Sequence, residues 1–154
     1  MGLKQTRFAT ELRSLNKVGL DTSILIYHLE DIEPYADLTE VIFSAIAEGL
    51  PRAVLSMISI TELLVQPFAE GEEDRIRVFE QFIQSLPNTD LIPPTYSIAK
   101  EAARLRAKYA IRTPDALLIS TALSEKAEAF LTNDSRLRSL KAEGLSILIL
   151  DDFL

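Results

Sequence analysis

Apolar residues along this chain follow two alternating patterns. Short, nearly continuous apolar runs occur at "KVGLD", "RAVLS", "TDLIPP", "EAFLTND" and "LSILIL", each bounded by polar or turn-forming residues. Such runs predict buried β-strands. Between them the apolar positions recur at helical spacing. "TSILIYHLE" predicts a helix after the first strand. "EPYADLTEVIFSAIAEG" predicts a second, with Pro34 in its first turn and Gly49 at its C-cap. "SITELLVQP" predicts a helix stopped by Pro67, and "EEDRIRVFEQFIQSL" an amphipathic one with Ile76, Phe79, Phe82 and Ile83 on one face. "TYSIAKEAARLRAKY" gathers Ile98, Ala102 and Leu105, "TPDALLISTALSEKA" is apolar nearly all round, and "SRLRSLKAEG" predicts the last helix. Strands separated by helices imply βαβ units. The expected fold class is therefore α/β, in three α/β/α layers around a parallel sheet of four to five strands. "FATELRSLNK" can form a helix, so residues 1–16 are expected to be a helical extension and 17–154 a single domain.

Ligands of such sheets collect beyond the carboxyl ends of the strands. Carboxylates stand at those places. Asp21 follows the first strand, Glu62 follows the second, and Asp134 follows the fourth. Each has an ordinary explanation. Asp21 and Asp134 suit helix N-caps, and Ser59 with Glu62 suits a capping box. Asp115 suits the positive end of a helix that Thr113 and Pro114 begin. The conjunction is less ordinary. Three acids should share one sheet edge, and the apolar helix behind Asp115 should carry it into the body of the protein. At about 5 Å and an effective dielectric near 20, each pair of carboxylates costs roughly 3 kcal/mol. A bound cation relieves that cost, and oxygen-only ligands suit hard ions such as Mg²⁺ or Mn²⁺. Such an ion can activate water for displacement at phosphorus.

Composition narrows the chemistry further. The 154 residues contain no cysteine and one histidine, His28, which excludes thiolate sites, disulfides and paired-histidine metal sites. The absence of cysteine and of a signal-type apolar start gives a cytoplasmic expectation. No apolar run is long enough to span a membrane. Net charge is −7, yet residues 1–17 carry +3 and residues 100–112 carry +4, leaving −14 for the rest. An acidic protein with local basic clusters is no general nucleic-acid sponge, but it can grip a phosphate backbone locally.

The segments "VGLDTSILIY", "SMISITELL", "RTPDALLISTAL" and "FLTNDSRL" resemble, in order, the four acidic motifs of PIN-domain ribonucleases. Their acids are separated by 41, 53 and 19 positions, and the resemblance runs from about Lys17 to the C-terminus. It implies a PIN-like nuclease domain over 17–154 and Mg²⁺- or Mn²⁺-dependent cleavage of RNA. Asp21, Glu62, Asp115 and Asp134 would be the catalytic, metal-binding acids, with Ser23 and Thr132 as supporting polar residues. It also implies kinship with VapC-type toxins, which pair as homodimers and are held by a small antitoxin that inserts a basic side chain into the acidic pocket. Two alternatives stay open: a housekeeping RNA-processing nuclease, and an inactive module that binds RNA or protein. The chain departs from the pattern in its N-terminal extension and in "ELLVQP", where a glycine often follows the acid.

Arg112, Arg104 and Lys108 are candidate RNA-phosphate contacts, against the simpler reading of a solvated helix face. Tyr27 and His28 could meet a base, though packing is the commoner role. Phe68, Phe79 and Phe82 read as core or dimer surface.

Overall fold

The computed structural model describes residues 2–154. Among them, β1 (Lys17–Leu20), β2 (Arg52–Ser56), β3 (Thr89–Ile92), β4 (Ala129–Thr132) and β5 (Ser146–Ile149) form one wholly parallel sheet in the order β3-β2-β1-β4-β5. β4 is buried along its whole length, and β2 at all but its first residue. That is why the central strands read as continuous apolar runs: helices cover both faces.

Seven α-helices accompany the described strands: α1 (Leu3–Arg13), α2 (Thr22–Leu29), α3 (Ala36–Ala47), α4 (Ile58–Ala69), α5 (Glu73–Gln84), α6 (Tyr96–Tyr109) and α7 (Thr113–Ser124). One apolar cluster joins α1 to α5 with Val18, Leu20, Leu55, Ala129 and Leu131 of the sheet. A second joins α6 and α7 with Phe130 on the opposite face. The architecture is thus three-layered. Alternation along β1 is strict: Val18 and Leu20 enter the first cluster, while Gly19 faces α7. A Cβ on Gly19 would lie 2.7 Å from Ala122 Cβ and 3.0 Å from Phe130 Cδ1, so this glycine sets how closely α7 approaches the sheet.

α1 packs Phe8 and Leu12, both fully buried, into the first cluster. The Phe8 ring meets the Phe153 ring at 4.6 Å, and the Arg7 guanidinium lies over the Phe153 ring, 5.3 Å from its centre. The two ends of the chain are therefore packed together.

Several elements differ from expectation. Pro34 lies before α3, not in its first turn, because the first helical bond runs from Thr39 N–H to the Tyr35 carbonyl. Gly49 sits just past the cap at φ +80°, a conformation glycine adopts without steric cost. Pro67 does not stop α4. It forfeits one i→i−4 bond, and the helix runs on through Phe68 and Ala69. The segment Ser135–Glu143 is a 3-10 helix, not an α-helix, and a shorter one follows at Leu150–Phe153. No described helix is long and apolar enough to cross a membrane.

Candidate active site

The sheet order turns back on itself beside β1. β2 and β3 lie on one side of it, β4 and β5 on the other. A crevice opens beyond the strand ends at such a reversal. Leu20 of β1 is paired with Leu131 of β4, and Asp21 N–H donates to the Leu131 carbonyl at 2.9 Å. Asp21 thus leaves the sheet beside the Thr132–Asp134 segment. A cleft of about 560 Å³ lies there, and Asp21, Ser23, Glu62, Asp115 and Asp134 all line it.

Each acid is placed by a different element. Asp21 has the backbone of a helix N-cap, but its side chain makes no capping bond to α2. Instead Thr132 Oγ1 donates to Asp21 Oδ2 at 2.6 Å and accepts from Asp134 N–H at 3.1 Å. Thr132, itself fully buried, therefore ties two of the acids together. Glu62 is not half of a capping box. Ser59 is completely buried, and Thr22 Oγ1 sits between the two residues, donating to Glu62 Oε1 at 2.7 Å and touching Ser59 Oγ at 2.9 Å. α4 begins at Ile58 with Met57 as its cap residue, so Ser59 is inside the helix.

Asp115 stands in the first turn of α7 and is only 9% exposed. Six further α7 residues are buried, so the helix is packed on nearly every side. Arg112 Nε donates to Asp115 Oδ2 at 3.2 Å. Asp134 alone behaves as a helix cap, accepting from Arg136 N–H at 3.0 Å, while the Arg136 side chain grips both carboxylate oxygens.

The electrostatics follow from this placement. Burial pushes the Asp21 carboxyl up to about 6, opposed by the Thr132 hydrogen bond and reinforced by the charges of Asp115 and Glu62. The charges of Asp115 and Glu62 thus reach the Asp21 carboxyl. The Arg136 contact holds Asp134 below its usual value, with Arg112 adding to the effect. Ser23 Oγ is sealed from solvent and has no hydrogen-bond partner. A buried, unsatisfied hydroxyl beside oxygen-only acids fits a hard cation and suits no soft one. As they stand, no three histidine, aspartate or glutamate side chains among the described residues converge enough to grip an ion. Asp115 and Asp134 each hold a guanidinium instead.

The candidate basic residues divide. Arg112 lines the cleft. Arg104 and Lys108 do not: both pair with Glu143, at the end of the 3-10 helix, which also accepts from Tyr109 Oη at 2.5 Å. Arg136, which sequence inspection passed over, lines the cleft beside Arg112. Its one sequence signal is its place two residues after Asp134. Tyr27 also lines the cleft, stacked on Tyr35 at 4.4 Å, whereas His28 is packed against Phe43 and Phe82. Phe79 is buried and Phe68 is 64% exposed. A groove of about 660 Å³ between α6 and α7 offers Lys100, Arg104 and Glu101 but brings no set of acids together.

No curated protein sequence matches this chain. Solved structures do. A chain of VapBC2 from Rickettsia felis, bound to a DNA fragment from its promoter, superimposes with a TM-score of 0.67 at 18% identity, covering 85% of this chain and 96% of that one. FitAcB from Neisseria gonorrhoeae gives 0.64 at 21% identity over 87% and 97%. VapBC-1 from nontypeable Haemophilus influenzae gives 0.61 at 23% over 88% and 98%. At these identities the likeness is one of fold. The PIN domain family, in contrast, matches by sequence over residues 18–143, from β1 through the 3-10 helix that follows Asp134. The chain therefore belongs to the PIN-domain family of nucleases.

Proposed function

We propose that this chain is a divalent-metal-dependent endoribonuclease that hydrolyses phosphodiester bonds in RNA as the toxin of a cytoplasmic toxin–antitoxin pair. The observation that carries the proposal is the meeting of four carboxylates from four elements in one cleft, beside a buried hydroxyl that lacks a partner. Asp21, Glu62, Asp115 and Asp134 would hold Mg²⁺ or Mn²⁺, with Ser23 supporting the site. When bound, the ion would supply water activation and neutralise charge on the phosphate and the leaving oxygen.

The chain's own residues do the positioning. Thr132 fixes the Asp21 carboxylate and the backbone of Asp134, and Thr22 fixes Glu62. α7 is a rigid mount for Asp115. Arg112, at the cleft wall, would contact a phosphate of the RNA strand. Arg104 and Lys108, engaged by Glu143, would contribute less. Chains of similar fold occur in a toxin–antitoxin complex from Klebsiella pneumoniae and in VapBC-5 of Mycobacterium tuberculosis, a member of a family of toxin–antitoxin systems, and this supports a small antitoxin as partner. A basic side chain of that partner would enter the same cleft, and the working unit would be a homodimer.

Incubation of the purified chain with structured RNAs tests the proposal. Cleavage should require Mg²⁺ or Mn²⁺, stop with chelator, and fall at least 100-fold in Asp21→Asn or Asp115→Asn. Cleavage that survives both chelation and these substitutions would refute it, as would no cleavage and no Mn²⁺ binding by the folded chain.

A further inference from the structure

Two arginines hold the carboxylate oxygens that a cation at this site would need. Arg136 Nε lies 2.9 and 3.2 Å from the two oxygens of Asp134, with Nη2 2.7 Å from Oδ2. Arg112 Nε lies 3.2 Å from Asp115 Oδ2. The partners differ in freedom. The Asp115 and Asp134 side chains are 11% and 23% exposed, while those of Arg112 and Arg136 are 68% and 71% exposed. The acids are fixed and the guanidiniums lie at the surface, so the arginines are the members that can move.

Both arginines also line a smaller adjoining pocket of about 120 Å³, walled by Tyr109, Ile111 and Leu137. They therefore form a ridge between two hollows. The cleft's four carboxylates exceed these two cations by two negative charges, the charge of one divalent ion.

Resting on the ribonuclease assignment, we propose that Arg112 and Arg136 exchange partners during function. They are counter-ions of Asp115 and Asp134 until a divalent cation takes the carboxylates, and then they clamp phosphates of the RNA strand. Both guanidiniums lie largely in solvent, so each can leave its carboxylate without losing a buried position of its own. The guanidinium fork fits a phosphate as well as it fits a carboxylate. Cation and arginine therefore compete for the acids, while arginine and RNA cooperate once the cation has bound.

Competition and cooperation predict opposite effects of one substitution. Mn²⁺ binding to the full chain is measured by calorimetry, and binding of a phosphorothioate RNA oligonucleotide in saturating Mn²⁺ by fluorescence anisotropy. Arg136→Gln should bind Mn²⁺ about three- to tenfold more tightly and RNA about three- to tenfold more weakly. The salt dependence of RNA binding should lose about one counterion. Arg112→Gln should act in the same directions, and Arg136→Lys should fall between Arg136→Gln and the parent. A cooperative melting transition in each variant shows that it is folded. Unchanged or weaker Mn²⁺ binding in Arg136→Gln overturns the exchange, whatever happens to RNA. So does unchanged RNA affinity. If the parent binds Mn²⁺ and cleaves RNA, only the exchange has failed. If the parent does neither, the ribonuclease assignment has failed with it.

Discussion

Asp21 offers a direct measure of the cost of gathering these acids. Its carboxyl is raised from 3.8 to about 6, with burial as the main cause and the charges of Asp115 and Glu62 as further ones. Between those values the folded chain keeps a proton that the unfolded chain releases. Stability therefore falls as pH rises through that window. The contribution of the neutral carboxyl is fully present below about pH 4 and is lost above about 6. At 1.36 kcal/mol per pH unit, full ionisation costs about 3 kcal/mol. Asp21→Asn removes that cost and keeps an oxygen to accept from Thr132 Oγ1, now 2.6 Å from Oδ2. In chelated buffer at pH 7.5, Asp21→Asn should melt roughly 6–12 °C above the parent, at about 2–4 °C per kcal/mol for a chain of this size. At pH 4 the two melting temperatures should converge. Added Mn²⁺ should raise the parent's melting temperature and leave the variant's unchanged. Calorimetry across pH 4–8 makes the comparison. A variant no more stable than the parent at pH 7.5, or a gain that persists at pH 4, refutes the reasoning.

Two further substitutions probe what holds the site in place. Gly19→Ala puts a methyl 2.7 Å from Ala122 Cβ on a strand paired at both edges, so neither side yields easily. It should cost about 1–3 kcal/mol in urea unfolding, and no loss of stability would show that the strand–helix spacing is loose. Phe8→Ala removes a fully buried ring from α1 and should cost about 3–5 kcal/mol. A loss under 1 kcal/mol would mean that α1 is an appendage to the fold.

Much of this molecule is legible in its sequence because parallel strands are buried on both faces. β2 and β4 announce themselves as apolar runs, and five such runs give the five strands observed. The acids were legible as positions, since Asp21, Asp115 and Asp134 sit at strand or helix ends and Glu62 lies one turn into the helix after β2. Their partners were not. A capping box at Ser59 and Glu62 is a local pattern, whereas the contact that binds both residues comes from Thr22, 37 and 40 residues away. Arg104 has a local partner in Glu101, but only the fold brings Glu143 to Arg104 and Lys108, 39 and 35 residues away. Pro67 misleads for a related reason: buried packing of α4 outweighs one lost backbone bond. Side-chain partners distant in sequence leave no local trace.

The sheet order has a consequence for biosynthesis. β1 is central, and it carries Asp21, but its β4 neighbour is among the last elements to be made. The hydroxyl that holds Asp21 in place arrives 111 residues later, with Asp134 just behind it. A ribosome-bound chain that has exposed Asp21 and Glu62 therefore has two acids and no cleft. Pairing at such long range is slow to form. The four-acid cleft comes into being only when synthesis is nearly finished, so a truncated chain that ends before β4 lacks it by topology alone.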